Sequence, residues 1–242
     1  MIKIIPKIIH YCWFGNGELP KLEKACIESW KKYCPDYEIK LWNEKNFDYN
    51  ALPYTKQAYE VKKFAFVSDV ARLQALYEFG GIYLDTDVEM FKPIEEFLTN
   101  NGFFGFEADD YIGTAVIGAK KNHEFIKTCL DYYANRQFIK SDGSYDYTSN
   151  VQILTSILTE NGLNLNNTAQ DIRDFNIYPK DYFYPMDYYS RKKIITSNTH
   201  TIHHYSGSWF NMSKKMKKFF RSIVGADTWL KIKQKMGRGG QQ

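Results

Sequence analysis

Two aspartates, Asp85 and Asp87, stand one residue apart at the end of the apolar segment 80–84. Side chains two positions apart on a strand share a face, so both carboxylates can converge on one point. Two close carboxylates repel each other and stay ionised together only beside a cation. Hard oxygen ligands favour Mg²⁺ or Mn²⁺. The pair therefore predicts a metal clamp of the kind that holds a diphosphate and neutralises its charge as it leaves.

Spacing alone is a weak signal, because a solvated loop with two aspartates has the same D-x-D pattern. Here a glycine pair, Gly80 and Gly81, opens an apolar strand that ends in the two carboxylates. A solvent-exposed loop would be polar at these positions, so the context favours the functional interpretation.

Two further groups of residues could take part in the same chemistry. Asp69 and Arg72 lie three apart on one helical face and can pair, and the Arg fork could hold a phosphate or a sugar hydroxyl. In the late segment "HHYSGSW", residues 203–209, a histidine could complete a metal shell, while Ser208 and Trp209 could meet phosphate and ring. The alternatives are a helix-surface ion pair and a structural histidine pair.

The elements that must position these groups alternate between strand and helix. "KIIPKIIHYCWFG" predicts a first strand, residues 20–34 a helix, and "YEIKLWN" a second strand, which together form a βαβ unit. A helical apolar face follows over 56–79, then the strand before the aspartates. Two strands are predicted within 102–120, helices over 122–136 and 149–160, and a last strand at the start of 199–209. The pattern predicts an α/β domain with a mostly parallel sheet.

Charge divides the chain into a mildly acidic body, residues 1–212, and a basic tail, residues 213–242. The tail carries nine Lys and Arg residues and one acid, Asp227, mixed with Phe, Trp, Ile and Leu. A helix of this composition is typical of a membrane interface, so we expect an anionic membrane surface as its partner ahead of nucleic acid. A terminal helix packed on the body is the alternative.

Apolar runs, cysteine spacing and the N-terminal segment indicate where in the cell the protein is expected. No run of eighteen apolar residues occurs, so no transmembrane helix is expected. The four cysteines form no CxxC pair and the N-terminus does not read as a signal peptide. We therefore expect reduced thiols and a cytoplasmic protein, peripheral on the inner face of the cell membrane if the tail binds lipid.

The motifs in this order resemble those of the DXD-sugar-binding glycosyltransferases. "SDVARLQALYEFGGIYLDTDVE" is similar to their S-D-x-x-R to D-x-D segment, "IPKIIHYCWFG" to their opening, and "HHYSGSW" to their closing element. This group includes bacterial capsular polysaccharide enzymes (family 32), yeast-type α-1,6-mannosyltransferases and, more distantly, clostridial glucosylating toxins. "TSNVQ" stands where the mannosyltransferases tend to have T-G-P, which favours the capsular branch.

The resemblance implies a GT-A fold, a Rossmann-like α/β fold that binds a nucleotide sugar through Mn²⁺ or Mg²⁺. It places Asp85 and Asp87 on ribose and metal, with His204 completing the metal shell. The other implied contacts with the donor are Trp13 on the base, Tyr83 on the nucleoside, Asp69 and Arg72 on sugar and phosphate, and Ser208 and Trp209 on the diphosphate. Asn150 is an implied polar contact with the sugar.

The implied reaction is transfer with retention of anomeric configuration, without a dedicated protein base. Acceptor contacts are open to Glu107, Asp109 and Asp110, although a polar turn explains them equally well. The expected donor is a UDP-hexose ahead of GDP-mannose, and the expected acceptor is a glycan linked to a lipid diphosphate, with no nucleic acid as partner.

Two other classes of protein remain open. Phosphatases of the haloacid dehalogenase type also begin with a strand and D-x-D, but Glu89 stands where their pattern has Thr or Val. A nucleotide- or glycan-binding module without turnover would keep the same residues.

Overall fold

The structure is a computed structural model that describes residues 4–207. The boundary predicted at residue 212, the basic tail, Ser208 and Trp209 lie outside the described residues. Those predictions therefore stay predictions.

A seven-stranded sheet forms the centre of the described chain. Its strands, in chain order, are β1 (Ile8–Cys12), β2 (Glu38–Trp42), β3 (Gly81–Leu84), β5 (Gly102–Ala108), β6 (Tyr111–Ala119), β7 (Gln170–Ile172) and β8 (Phe175–Tyr178), and β4 (Val88–Met90) lies in a second sheet. The spatial order is β2-β1-β3-β6-β5-β8-β7. All strands except β6 and β7 run in one direction. The predicted fold class, an α/β fold with a mixed, mostly parallel sheet and flanking helices, is confirmed.

Helices cover both faces of this sheet. They are α1 (Lys21–Tyr33), α2 (Pro53–Glu60), α3 (Phe64–Phe79), α4 (Glu124–Ala134) and α5 (Asn150–Glu160), with a short 3-10 helix at Glu95–Thr99. Residues of α2 to α5 share one hydrophobic cluster, and α1 and the 3-10 helix belong to a second. Alternation along β3 divides its side chains, with Tyr83 in the first cluster and Ile82 and Leu84 in the second. The strand before the aspartates is thus buried on both faces.

The helical pattern predicted over 56–79 is two helices, which corrects the expectation of one. The chain leaves the helical path at 61–63, where Lys62 has a φ of 58°. A left-handed residue cannot continue a right-handed helix, so α3 starts again at Phe64. This break fixes where α3 begins, and α3 carries Asp69 and Arg72.

Gly80 and Gly81 form the turn between α3 and β3. Gly80 ends α3 with a φ of 67°, and Gly81 has a φ of 107°. A Cβ at Gly81 would stand 2.6 Å from the Ile8 carbonyl oxygen. The turn therefore needs glycine both for its backbone angles and for the close approach of β3 to β1.

A second, two-stranded sheet brings the segment that follows the aspartate pair next to the segment that contains His203. Strand β4 pairs antiparallel with β9 (Thr201–His203), and Val88 lies opposite His203. The last predicted strand is therefore only three residues long and pairs outside the main sheet. Among residues 4–207, no helix combines the length and the hydropathy that a bilayer span requires.

Candidate metal and donor site

Three side chains converge at the carboxyl end of β3. The ligand atoms of Asp85, Asp87 and His203 all lie within 4.8 Å of one another. His203 Nε2 is 3.2 Å from Asp87 Oδ1. Two carboxylate oxygens and an imidazole nitrogen are a donor set that fits Mn²⁺ or Mg²⁺. We refer to these three residues as the metal cluster.

Charge and burial act together on the metal cluster. Burial alone would raise the pKa of Asp87, but His203 and the hydrogen bond from the Ser206 backbone N–H lower it well below its usual value. Burial alone would lower the pKa of His203, but Asp87, Glu107 and Asp85 raise it to about 9. The cluster is thus an acidic site that attracts positive charge.

A third carboxylate, Glu107 of β5, lies behind the histidine. Its Oε1 is 3.9 Å from His203 Nδ1, and burial raises the pKa of Glu107 despite the opposing effect of His203. Within residues 4–207, His203 Nδ1 has no hydrogen-bond partner. The imidazole therefore lies close to acids on both sides, and its Nε2 is the nitrogen within hydrogen-bond distance of Asp87.

Arg72 connects helix α3 to the metal cluster. Its guanidinium lies 3.1 Å from Asp69 Oδ1 and 3.4 Å from Asp85 Oδ1, and it donates to the Thr114 carbonyl oxygen at 2.7 Å. The Tyr83 ring lies 4.5 Å from the guanidinium carbon, and the Tyr83 hydroxyl donates to Asp85 Oδ1 at 2.7 Å. Asp85 is thereby held from two sides.

Burial sets the ionisation of this ion pair. The side chains of Arg72 and Asp69 are only 7% and 11% exposed. Burial raises the pKa of Asp69 to about 6, although Arg72 opposes it. Burial alone would lower the pKa of Arg72, but Asp85, Tyr83 and Asp69 raise it above its usual value. The guanidinium is the fixed positive charge around which both carboxylates are arranged.

Replacing Arg72 with alanine is expected to lower the free energy of unfolding by about 3 kcal/mol, because it leaves Asp69 buried without its cation. Urea unfolding monitored by circular dichroism would measure the loss. The matched control is Arg173→Ala, because Arg173 is exposed and hydrogen-bonds Asn161. Equal stability of the two variants would show that Arg72 does not support the site.

Asn150 contacts α3, and Trp13 follows β1. Asn150 opens α5 behind a Ser149 capping box, and its Nδ2 donates to the Asp69 carbonyl oxygen at 3.2 Å. Its buried Oδ1 has no partner in the described chain. The Trp13 Nε1 donates to the Gly17 carbonyl oxygen at 2.6 Å. Asn150 is therefore joined to the Arg72–Asp69 pair, whereas the Trp13 side chain is bonded within its own loop.

A cavity of about 420 Å³ opens beside the loop that follows Trp13. Gly15, Tyr49, Tyr59 and Phe64 are among its lining residues. Tyr49 and Tyr59 stack at 3.8 Å between ring centroids. An aromatic-walled cavity next to the start of α3 has the shape and polarity for a flat ring.

The structure does not bring His204 into the metal cluster. His204 Nε2 is 2.8 Å from Glu89 Oε2, while its backbone N–H donates to the Asp87 carbonyl oxygen at 3.0 Å. The side chains of the two adjacent histidines thus contact different carboxylates. The motif and the geometry point to different residues as the third metal ligand.

Ser206 and Glu23 complete the surroundings of Asp87, and sequence reasoning missed both. The Ser206 backbone N–H donates to Asp87 Oδ2 at 2.7 Å, and its hydroxyl donates to Glu23 Oε1 at 2.7 Å. Glu23 lies on α1 and is 1% exposed, and its Oε2 has no partner among residues 4–207. The available signal was the position of Glu23 beside the apolar face of the amphipathic helix α1, because an acid at such a position is expected to be buried.

Comparison with known proteins gives this geometry a family context. Residues 20–104 match the sequence model of a family described as "Glycosyltransferase sugar-binding region containing DXD motif". The matched range contains Asp69, Arg72, Asp85 and Asp87. Residues 20–104 are therefore similar to a DXD-type glycosyltransferase sugar-binding region. His203, Glu107, Asn150, Ser206 and Trp13 lie outside the matched range.

Curated relatives extend the similarity at moderate identity. Inositol phosphoceramide mannosyltransferase 3 of Schizosaccharomyces pombe is 31% identical over 134 residues, which cover 50% of this chain and 35% of that protein. The uncharacterized glycosyltransferase L373 of Acanthamoeba polyphaga mimivirus is 26% identical over 90% of this chain and 89% of its own. Lactosylceramide 4-alpha-galactosyltransferase of Mus musculus is 35% identical over 33% of this chain and 22% of its own. The chain thus spans much less than two thirds of the mannosyltransferase.

Solved structures with similarity to this chain include two glycosyltransferases. One is titled PaToxG Glycosyltransferase, with 20% identity, a TM-score of 0.46, and coverage of 64% of this chain and 68% of its own. Another is titled a glycosyltransferase involved in the glycosylation of the major capsid of PBCV-1, with 12% identity, a TM-score of 0.46, and coverage of 90% of this chain and 100% of its own. TM-scores of this size are too low to assign residues or substrates.

Proposed function

We propose that this chain is a metal-dependent glycosyltransferase that moves a sugar from a nucleotide-sugar donor to a glycan acceptor. The observation that carries the proposal is the convergence of Asp85 and Asp87, which lie in the range similar to a DXD sugar-binding region, with His203 within 4.8 Å. The proposed alternative without turnover is a nucleotide- or glycan-binding module.

The metal cluster would hold Mn²⁺ or Mg²⁺ through Asp85, Asp87 and His203. A bound ion supplies positive charge that neutralises the departing diphosphate. Ser206 fixes the orientation of Asp87, and Arg72 fixes that of Asp85. Preorganised charges of this kind lower the barrier because no reorganisation is needed as the charge develops.

The donor would lie between the aromatic cavity and the metal cluster. The cavity beside Trp13 offers flat walls for the base, which supports a nucleotide as ligand. Arg72 contacts both Tyr83 and Asp69, and Asn150 donates to the Asp69 carbonyl oxygen, so these four residues form one connected group beside Asp85. We propose a UDP-hexose ahead of GDP-mannose as the donor.

Transfer would proceed with retention of configuration. The acceptor hydroxyl would attack from the face that the diphosphate leaves, and a departing phosphate oxygen would take its proton. Glu107 Oε1 lies 3.9 Å from His203 Nδ1, and burial raises the pKa of Glu107, so Glu107 is a candidate for acceptor contact. Asp109 is paired with Lys180 at 2.7 Å, which makes it a surface contact.

The acceptor is proposed to be a membrane-borne glycan, and the setting the cytoplasmic face of a cell membrane. Two relatives carry the names of ceramide lipids as their acceptors, which supports a lipid-linked acceptor here. The basic tail, residues 213–242, supports docking on an anionic surface. Surface polysaccharide synthesis of the capsular type, within family 32, is the biological role that we propose.

A thermal-shift screen of UDP- and GDP-sugars with Mn²⁺ tests the donor. At a free ligand concentration of 100 times Kd, binding adds about 2.7 kcal/mol. For a chain of this size we expect Tm to rise by roughly 5–10 °C with the matching donor. Mn²⁺ alone and sugar nucleotide with EDTA are the controls.

Product analysis separates the enzyme from the binding module. Release of nucleoside diphosphate, with NMR of the new glycosidic bond, gives turnover and anomeric configuration. Stabilisation without release would favour the binding module. Failure of every nucleotide sugar to stabilise the chain with Mn²⁺ or Mg²⁺ would contradict the proposal.

A further inference from the structure

A hairpin near the metal cluster displays an unusual concentration of apolar side chains. Residues 187–195 are nine consecutive exposed positions. Tyr188, Tyr189, Ile194 and Ile195 are exposed by 46%, 54%, 59% and 55%. The rest of the described chain exposes only four other large apolar residues, which are scattered along it. We call residues 185–195 the surface hairpin.

The surface hairpin is also basic. It contains Arg191, Lys192 and Lys193 against a single acid, Asp187. Asp187 Oδ1 accepts hydrogen bonds from the Ser190 backbone N–H and hydroxyl, both at 2.7 Å. Within residues 4–207, neither Lys192 nor Lys193 is paired with a carboxylate. The hairpin therefore presents positive charge next to its apolar side chains.

Backbone hydrogen bonds hold the surface hairpin in one shape. Met186 and Lys193 form an antiparallel bridge, the Asp187 N–H donates to the Lys192 carbonyl oxygen at 2.9 Å, and the Ile194 N–H donates to the Pro185 carbonyl oxygen at 2.8 Å. An ordered element that exposes this much apolar area leaves surface that a partner can cover.

Arg191 connects the surface hairpin to the metal cluster. Its guanidinium donates to the carbonyl oxygens of His204 and Tyr205 at 2.8 and 3.2 Å. The Tyr188 ring lies 5.1 Å from the Tyr205 ring, which in turn lies 4.1 Å from the His203 ring. Whatever covers the hairpin is therefore held within a few side chains of the proposed reaction centre.

We propose that the surface hairpin docks on an anionic lipid bilayer. Ile194 and Ile195 enter the apolar side of the interface, Tyr188 and Tyr189 lie at headgroup level, and Lys192 and Lys193 meet anionic headgroups. Aliphatic, aromatic and basic residues in one ordered element are the combination that an interfacial anchor uses. Only the purpose of this docking rests on the proposed function: docking would bring a lipid-linked acceptor to the site.

Three other occupants fit fewer of these features. A carbohydrate would use the two tyrosines but gains nothing from the isoleucines and lysines. The basic tail would cover the isoleucines but is opposed by the positive charge of the hairpin, and a second copy of the chain leaves the combination of tyrosines at the edge and lysines beside the isoleucines unexplained. The experiment below separates the bilayer from these occupants.

A polarity-sensitive fluorophore attached at position 194 reports the polarity of the surroundings of the surface hairpin. All four native cysteines are buried, so the full-length Ile194→Cys variant is labelled at one exposed site. We expect a blue shift on addition of phosphatidylglycerol vesicles and none with phosphatidylcholine vesicles. Leu165→Cys is the matched control, because Leu165 is 41% exposed and lies outside the hairpin. A label there should not respond.

Three outcomes would overturn the proposal. The first is no shift at position 194 while the protein still sediments with the vesicles, which would assign membrane binding to another segment. The second is a shift produced by free oligosaccharide without vesicles. The third is a blue emission before any vesicle is added, which would mean that the chain or a second copy covers the hairpin. None of these readings needs turnover, so donor binding in the same samples tests the proposed function separately.

Substitution provides the second measurement. Lys192→Gln with Lys193→Gln should weaken binding of the full chain to phosphatidylglycerol vesicles by roughly fivefold per lysine. Ile194→Ser with Ile195→Ser should weaken it in a salt-independent way. The exposed Lys45→Gln and Leu165→Ser are the controls and should bind like the unchanged chain. Unchanged binding by both hairpin variants would overturn the proposal.

Discussion

The Asp87→Asn variant is expected to lose metal-dependent donor binding and turnover while it keeps its fold. Asparagine preserves the size of the side chain and an oxygen that can accept from the Ser206 N–H, but it removes the charge that faces His203. We expect Mn²⁺ affinity to fall by at least about 10²-fold and kcat/KM by about 10³-fold, since a metal's charge is worth several kcal/mol in such a transition state. Titration of free Mn²⁺ by electron paramagnetic resonance measures the first, and diphosphate release the second.

The control for this variant is Asp171→Asn, an isosteric change at an exposed position in β7. It should alter neither Mn²⁺ affinity nor turnover. Far-UV circular dichroism of both variants should match that of the unchanged chain. Full Mn²⁺ binding by Asp87→Asn would remove Asp87 from the metal cluster and with it the main support for the enzyme.

A comparison of His203→Ala with His204→Ala has the second largest expected effect. The geometry groups His203 with the aspartates, whereas the motif favours His204. Loss of a ligand should weaken Mn²⁺ binding by at least about 10-fold, the lower bound for loss of a supporting contact. We therefore expect His203→Ala to weaken binding and His204→Ala to leave Mn²⁺ affinity close to that of the unchanged chain.

Each histidine variant serves as the control of the other, because both lose an imidazole that contacts a carboxylate. Calorimetric titration with Mn²⁺ gives affinity and stoichiometry for both. The reverse order of effects would mean that His204 leaves Glu89 when the ion binds and would restore the assignment made from the motif. If both variants bind Mn²⁺ as tightly as the unchanged chain does, neither imidazole is a ligand.

The sequence predicts the strand and its aspartate pair because both depend on local rules. The glycine turn sets where β3 begins. The βαβ opening and the helices near 124 and 150 follow from hydrophobic period in the same way. The break at Lys62 does not, because the apolar pattern continues through it and only the backbone angle shows the interruption. The expectation that both aspartates share one face of β3 is wrong, because β3 ends at Leu84 and β4 begins at Val88, so Asp85 and Asp87 lie in the turn between them. The Val88 N–H donates to the Asp85 carbonyl oxygen at 3.0 Å, and this turn brings the two carboxylates together.

The choice between two adjacent histidines could not be made from the sequence. Neighbouring residues of a strand face opposite sides, so only one imidazole can point to the aspartates. Which one does so depends on the register of β9 on β4, which sets His203 opposite Val88. That register arises from pairing across more than a hundred residues of chain, and no local pattern encodes it.

The surroundings of Asp87 were missed for a related reason. Glu23, Glu107 and Ser206 belong to three separate parts of the chain and are polar residues in unremarkable local sequence. Their contacts with the cluster arise only when α1, β5 and the segment after β9 pack together. Of these features, only the burial of Glu23 could have been inferred from the sequence, because the amphipathic pattern of α1 places that residue beside the apolar face.

The bond from Ser206 to Asp87 joins residues 119 positions apart. During synthesis, the aspartate pair leaves the ribosome long before the histidine and serine that complete its surroundings. A nascent chain therefore has carboxylates but no finished binding site, and it would hold neither ion nor sugar nucleotide tightly. Occupancy of the centre would then report that the last segment has been made and has closed against the first helix.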